Sequence, residues 1–372
     1  MQRTLRAYRR PFYDLLRPAL AGRGIALRLV HTTPSDRVEP GAVPGWAERA
    51  AGRVLTAGGR QLVWQSLGRS VRGSDLVVVE QAVQLLGNYP LLARQRWGGP
   101  RVAMWGHGRT FHADATGVLE RVKAAVTREA HWFFAYNELA VQAAVDLGMP
   151  PERVTDVRNA TDTAALARAV AAVDEPAIAA MRGELGLTGD HVCVFLGSIH
   201  PAKGLPFLVA AVEHARRRIP DLELVVVGDG PAAPQLRRET GDRAWIRWAG
   251  TRTGTDLATI LALGRVAVVP GWAGLVIADC FAAGLPLVTS GTMAHPPEIA
   301  YLRSGVNGLL VDDGGDPARY AAAVVDLLTD DAARASLARG GRRSAEGLTV
   351  DAMAERFAEG VERALAAPRR HG

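Results

Sequence analysis

The stretch Gly271-Trp-Ala-Gly-Leu-Val-Ile-Ala-Asp-Cys-Phe-Ala-Ala-Gly284 limits what this chain can fold into more than any other. An apolar run, Val266-Ala-Val-Val-Pro270, leads into it, and another, Leu285-Pro-Leu-Val-Thr-Ser290, leads out. Between them Leu275–Ala283 reads as a helix that is apolar on every face except at Asp279 and Cys280. Such a helix lies inside a protein. An ionised carboxylate there is costly unless it is paired or hydrogen-bonded, so Asp279 requires a partner. Ligand hydroxyls would serve, and so would the backbone of a nearby loop. Gly271 and Gly274 lead into the helix start, where unpaired N–H groups and the positive dipole end suit an anion.

The same strand–helix alternation runs along most of the chain and argues for parallel sheets. In the first half, strands are expected at Ile25–His31, Leu76–Val79, Arg101–Trp105, Phe133–Tyr136 and Val154–Arg158, and helices at Tyr8–Ala21, Val83–Arg94, Thr116–Glu129 and Glu138–Leu147. Tyr8–Ala21 is amphipathic and reads as the first helix of an α/β domain in preference to a membrane-surface helix. A nucleotide-type sheet would place a strand ahead of Tyr8, so the N-terminal edge is expected to be unusual or to lack that strand. A Gly/Pro-rich loop covers Thr33–Trp46. An Ala-rich, charged helical stretch without strands, Thr161–Asp190, marks a junction near residue 180. In the second half, helices are expected at Leu205–Arg217, Leu275–Ala283, Pro297–Arg303 and Pro317–Leu328, among others. At 372 residues and 48% apolar content, the chain suits two α/β domains, 1–178 and 179–348, with a closing helix in 349–372.

Composition removes several classes. No run of about 18 apolar residues exists to span a membrane, and the basic start, interrupted at Asp14 and Arg17, is not a signal peptide. Cys193 and Cys280 are the only cysteines, which excludes a zinc ribbon or disulfide frame and fits a reduced, cytoplasmic setting. The net charge of +6 is carried almost wholly by scattered arginine, with Lys123 and Lys203 the only lysines. Without an aromatic-interleaved basic cluster this does not point to nucleic acid. A basic surface remains compatible with phosphate-bearing ligands or peripheral contact with anionic lipid.

Five loops follow strands, where open α/β sheets bind ligands: Gly106–Phe111, Gly197–Gly204, Gly228–Pro231, Gly271–Gly274 and Gly291–Glu298. In Gly197-Ser-Ile-His-Pro-Ala-Lys-Gly204 a cation, Lys203, stands at a helix start, an arrangement that makes sense with an anion between them. An exposed turn lysine is the alternative. No Gly-x4-Gly-Lys-Ser/Thr loop occurs. Gly228-Asp-Gly-Pro-Ala-Ala233 matches the dinucleotide pattern Gly-x-Gly-x-x-Ala. The next strand ends in Trp248-Ala-Gly250, without the acid that would hold a ribose, so a nicotinamide cofactor is rejected. In Trp105-Gly-His-Gly-Arg109 the glycines let His107 and Arg109 stand clear, unless His107 is only a satisfied loop histidine. Asn159-Ala-Thr-Asp162 reads as a turn with Asx caps. His295-Pro-Pro-Glu298 is ordinary helix-start chemistry unless neighbouring loops bind a ligand. No Asp-x-Asp pair, Gly-x-Ser-x-Gly or His-Glu-x-x-His is present.

Together these motifs resemble the family 4 glycosyltransferases, most strongly from about 190 to 345. Phe195-Leu-Gly-Ser-Ile-x-x-x-Lys-Gly204, Val227-Gly-Asp-Gly-Pro231, Gly274-Leu-x-x-x-Asp-x-x-Ala-x-Gly284, Pro297-Glu-Ile299 and Gly305-Val-Asn-Gly-Leu-Leu-Val311 follow the family's order and spacing. The resemblance extends to a bacterial subgroup acting on surface polysaccharides or secondary metabolites. It implies a GT-B fold of two Rossmann-like parallel-sheet domains facing across a cleft, acceptor-side first and nucleotide-sugar-binding second, with the last helix packing back on the first domain. It implies metal-independent, retaining transfer of a hexosyl-type group from a nucleoside-diphosphate sugar to a glycan, lipid-linked or small-molecule acceptor. The donor is then a co-substrate and no cofactor is needed. His107, Lys203 and Glu298 fall at catalytic positions. Gly197, Ser198, Lys203, Gly228, Gly230, Gly274, Leu275, Val276 and Asp279 fall at donor-binding positions, with Arg109 and His295 as further candidates. The sequence departs from the family where its arginine falls on Ser198 and its paired glutamates fall on Gly271 and Asp279. A non-catalytic binding subunit and a nucleotide-sugar epimerase of the same fold stay open as alternatives.

Overall fold

The computed structural model describes residues 1–32, 39, 41–57, 60–109, 117–241 and 243–370. Parts of the expected loops at Thr33–Trp46 and Gly106–Phe111, and the first residue of the expected helix at Thr116, lie outside the described residues. The chain forms two compact units, Met1–Asn159 with Val350–Gly372, and Ala160–Thr349.

Unit 1 opens with a short 3-10 turn, Ala7–Arg9, and α1, Arg10–Ala21, which carries Pro11 in its first turn where a missing N–H costs nothing. A parallel pair, β1 (Val30–His31) and β2 (Glu48–Arg49), is followed by an antiparallel hairpin, β3 (Gly52–Ala57) and β4 (Arg60–Gln65). The expected strand at Ile25–His31 is thus confined to its last two residues. Next come β5 (Leu76–Glu80), α2 (Asn88–Gln95), β6 (Arg101–Gly106), α3 (Gly117–Glu129), β7 (Trp132–Ala135), α4 (Glu138–Asp146) and β8 (Val154–Asp156). Strands β5-β6-β7-β8 form a parallel sheet in that order. Helix α2 starts five residues later than expected from Val83, which puts Pro90 in the first turn instead of the interior, where it would break the backbone ladder. Strand alternation sorts β6 onto two cores. Ala103 and Trp105 face Phe12, Leu16 and the C-terminal helix residues Met353 and Phe357, while Val102 and Met104 face Leu91, Leu92 and Ala144.

Unit 2 begins with α5 (Thr163–Ala171) and α6 (Glu175–Leu185). These helices pack on later helices of the same unit, so the chain enters it at 159/160 and not near 180. There follow β9 (Val192–Leu196), α7 (Leu205–Arg216), β10 (Glu223–Val227), α8 (Ala233–Thr240), β11 (Ile246–Gly250), α9 (Gly254–Leu263), β12 (Val266–Val268), α10 (Val276–Ala283), β13 (Leu287–Ser290), β14 (Leu309–Val311), α11 (Pro317–Thr329) and α12 (Asp331–Ala345). The last helix, α13 (Val350–Ala366), lies in unit 1 against α1. The six strands of unit 2 are all parallel in the order β11-β10-β9-β12-β13-β14. Strand order reverses between β9 and β12, and ligands of such sheets bind beyond the carboxyl ends at that point. The central strands read as unbroken apolar runs because both faces are covered, with Val192, Val194, Val266 and Val268 fully buried. Among the described residues no helix is long and apolar enough to cross a membrane.

Candidate functional site

The loops after β9 and β12 meet at Lys203. The β9 loop ends in a 3-10 turn, Pro201–Lys203, and Gly204 in the left-handed region caps the start of α7. Lys203 is only 6% exposed, and its Nζ donates to the carbonyl of Trp272 at 3.0 Å. That carbonyl is turned toward Lys203 by the left-handed backbone of Trp272, φ 50°, a conformation that costs a non-glycine residue about 1–2 kcal/mol. Burial pushes the ammonium pKa down to about 8.

Gly271 gives its N–H to the carbonyl of Lys203 at 3.2 Å. A Cβ at this position would stand 2.4 Å from the carbonyl oxygen of Ala202, so the close approach of the two loops requires glycine. The position of the family's first glutamate is therefore sterically closed here. The loop is tied down by His295, whose Nδ1 accepts from Ala273 N–H at 3.1 Å while Nε2–H donates to the carbonyl of Ser290 at 2.8 Å. Both ring nitrogens are thereby engaged in the neutral form, and burial, with the Lys203 charge, holds the pKa down. His295, a candidate binding residue from the sequence, fastens the β12 loop to the end of β13. The expected helix at Pro297–Arg303 is a 3-10 turn, Pro297–Tyr301. It seats Glu298, 3% exposed, beside the start of α10, with Oε2 3.9 Å from a Cβ built on Gly274. Leu275 caps α10 and Val276 is its first residue. Lys203, Trp272, Gly274 and Glu298 thus gather at one helix N-terminus, an anion-binding geometry.

Asp279 lies one turn further along α10. Its Oδ1 accepts a 2.6 Å hydrogen bond from Thr161 Oγ1. Burial among apolar side chains pushes its pKa up to about 6, against the stabilising hydroxyl. Part of Asp279 remains open to solvent. Thr161 comes from the segment where Asp162 caps α5, its Oδ1 accepting from Ala165 N–H at 3.0 Å. Thr161 and Trp272 are missed by the sequence reading. The only signals for them were an Asx-capped turn and a tryptophan between two glycine turns.

Gly197, Gly228 and Gly230 make room for close packing. A Cβ on Gly228 would stand 2.0 Å from Gly197 O, one on Gly230 2.3 Å from Ile199 O, and one on Gly197 2.9 Å from Lys203 Nζ. Only Gly197 therefore borders the ammonium directly, while the other two let the β10 loop press on the β9 loop. Ser198 is exposed on that loop.

His107 and Arg109 belong to unit 1, in the loop after β6. The His107 ring meets Tyr136 edge-on, centroids 4.3 Å apart. The flanking glycines again serve packing, since built Cβ atoms would lie 2.6 Å from Gln81 Cβ at Gly106 and 2.6 Å from Ala143 Cβ at Gly108. Gln81 clasps the loop, accepting from Gly108 N–H at 2.9 Å and donating to its carbonyl at 2.8 Å. The Arg9 guanidinium, buried nearby, lies 5.1 Å from the Trp105 ring and 5.8 Å from that of Tyr136. Arg109 is exposed. Among the described residues no three His, Cys, Asp or Glu side chains group as metal ligands.

Residues 190–330 match the model of the family described as glycosyl transferases group 1. Over 312 residues the chain is 31% identical to a D-inositol 3-phosphate glycosyltransferase of Salinispora arenicola, covering 74% of this chain and 67% of the relative. It is 29% identical to the enzyme of the same name from Salinispora tropica, over 74% of this chain and 64% of the relative. The chain thus spans about two thirds of the length of these relatives. Among solved structures, HepE of Anabaena in complex with UDP superimposes with a TM-score of 0.72 at 16% identity, covering 97% of this chain and 98% of that one. That likeness is one of fold, the GT-B fold.

Proposed function

Because this chain belongs to the glycosyl transferases group 1 family, we propose that it moves a hexosyl-type sugar from a nucleoside-diphosphate sugar to an acceptor hydroxyl, with retention of anomeric configuration. The observation that carries this reading is the desolvated Lys203 ammonium beside the start of α10. There the diphosphate would lie on the N–H groups of Gly274, Leu275 and Val276, with Lys203 neutralising the charge that grows on the leaving group. Asp279, oriented by Thr161, would accept from the ribose hydroxyls. Glu298, seated against Gly274, would lie toward the sugar end. His107 and Arg109, in the unit 1 loop after β6, would serve the acceptor. A glycan, a lipid-linked sugar or a small polar molecule would be the acceptor. The setting would be cytoplasmic, with peripheral contact at an anionic membrane face. No metal is needed in this scheme, since Lys203 and the helix end carry the charge.

One observation favours a second reading, a binding subunit without transfer. Gly271 has no room for the carboxylate that the family places there. Incubation with UDP-, GDP- and dTDP-sugars and a panel of acceptors, inositol phosphates included, separates the two. Transfer gives nucleotide release that depends on an acceptor and yields a product of unchanged anomeric configuration. Nucleotide binding without release under any pairing supports the subunit, and an inverted product removes retention.

A further inference from the structure

Glu80 closes β5, Gly106 closes β6 and Tyr136 follows β7, and all three line one cavity of unit 1, about 290 Å³ in volume. It lies beyond the carboxyl ends of neighbouring parallel strands, the side of such sheets that takes ligands. The volume is near the low end for small-molecule sites, about 300–1,000 Å³, and gives room for one sugar-sized unit. His107 lines the same cavity. Under the proposed function, the acceptor would stand here.

The charge around this cavity is one-sided. Among the described residues that line it, Arg3, Arg6, Arg9 and Lys123 are cationic and Glu80 alone is a carboxylate. Arg6 is paired with Glu39 at 2.6 Å, and Glu120, one turn back on α3, offsets part of the Lys123 charge. A positive balance remains. Arg3 is an ordinary exposed side chain. Arg9 and Lys123 are not. Arg9 is 7% exposed, its guanidinium 5.1 Å from the rings of Tyr8 and Trp105 and 5.8 Å from that of Tyr136. Lys123 is half-buried, and desolvation pushes its ammonium pKa down. Cations withdrawn from water attract an incoming anion more strongly than hydrated ones, because the local dielectric is low. Glu80 has the opposite preference. Its Oε1 accepts from Arg3 N–H at 2.6 Å, and burial raises its pKa. The carboxylate accepts from a hydroxyl and repels an anion.

We propose that the acceptor taken by this cavity is a small polyol carrying an oxyanion, a phosphate or a carboxylate, with the anion on Arg9 and Lys123 and a hydroxyl on Glu80. The proposal rests on the reading of the chain as a transferase and names the class of molecule that receives the sugar. Arg9 and Lys123 then set acceptor choice. An oxyanion makes charge-assisted hydrogen bonds with both, which a neutral sugar of the same size cannot match. The planar guanidinium of Arg9 suits two oxygens of one phosphate or carboxylate, while the Lys123 ammonium adds a point charge.

The test measures binding of matched probes by calorimetry: glucose against glucose 6-phosphate and glucuronate, and glycerol against glycerol 3-phosphate. The chain is compared with Lys123→Met, Lys123→Arg and Lys203→Ala. Lys203→Ala removes the phosphate contact proposed in unit 2, so an anion held there is told apart from one held in unit 1. The charged member of each set is expected to bind the parent chain and Lys203→Ala about tenfold or more tighter than the neutral one. Lys123→Met cuts that preference to about threefold or less, and Lys123→Arg, which keeps the charge, restores it. The thermal shift with nucleotide stays the same in Lys123→Met, which shows that the variant is folded. Equal binding of charged and neutral probes, or no binding of any charged probe, would overturn the proposal. So would a preference that survives Lys123→Met or disappears in Lys203→Ala. Vesicles of phosphatidylglycerol that compete with glycerol 3-phosphate would support a lipid headgroup as the source of the anion, and vesicles that do not compete would support a soluble acceptor. A chain that keeps the anion preference but transfers no sugar refutes the transferase reading alone, so the two failures are distinct.

Discussion

Lys203 and Asp279 are both ionisable groups under strain from burial, and they are displaced toward each other on the pH scale. Lys203 ionises near 8 in the folded chain against an ordinary 10.5. The folded state therefore sheds this proton first, and the Lys203 contribution to stability rises with pH between those two values. Asp279 ionises near 6 against an ordinary 3.8. The folded state holds that proton longer, so the Asp279 contribution falls as pH rises from 3.8 to about 6. A diphosphate needs the ammonium and ribose hydroxyls need the carboxylate. Affinity for a nucleoside-diphosphate sugar, whose phosphates do not titrate in this range, is thus expected to be greatest between about 6 and 8 and to fall on both sides. Titration calorimetry at a series of pH values checks this, and Asp279→Asn flattens the acid limb. Gly271 allows another residue-scale prediction. Gly271→Glu restores the family's carboxylate but drives a side chain toward Ala202 O, so it lowers stability by about 2 kcal/mol or more and does not raise turnover. Urea unfolding and an activity assay read both, and a variant as stable as the parent would show that the loop yields.

The elements around the site were legible to different degrees, for physical reasons. Helix α10 and its flanking strands were plain in the sequence, because a helix without a polar face has one place to go. The loop glycines were legible as loop residues but not in their role. Whether a glycine meets a ligand or the next loop depends on contacts such as Gly228 with Gly197, which only the folded sheet creates. The partner of Asp279 was hidden because Thr161 stands 118 residues away in sequence. The hairpin β3–β4 escaped because its alternation does not mark an inside, Val54, Leu55 and Trp64 being exposed. His295 was legible as a loop residue but its bonds to backbone on both sides were not, since such a histidine looks the same in sequence as one that faces a ligand. Its role predicts that His295→Ala, which leaves Ala273 N–H and Ser290 O without their partner, costs about 1–3 kcal/mol and weakens nucleotide binding through the loosened loop. His295→Gln, able to donate and accept, recovers part of both. Loss of binding with unchanged stability would return His295 to the list of direct contacts.

At the scale of the molecule, the chain builds unit 1, leaves it at 159/160, completes unit 2 and returns with α13. The two-unit plan was readable from strand–helix alternation and length. The crossing point was not, because α5 and α6 look like a linker until α9 and α10 are there to receive them. Ligands of parallel sheets bind where strand order reverses, which in unit 2 is between β9 and β12, and the proposed function puts the donor there. The central claim is that a nucleoside diphosphate rests on the start of α10 under Lys203. The most direct measurement is the thermal shift of the chain and of Lys203→Ala with UDP, GDP, dTDP and ADP, each at about 1 mM. A ligand present at 100 times its dissociation constant adds about 2.7 kcal/mol of stability. One nucleotide is expected to raise the melting temperature of the parent chain by a few degrees and that of Lys203→Ala by much less, which also identifies the donor base. Equal shifts in the two chains, or none with any nucleotide, would contradict it.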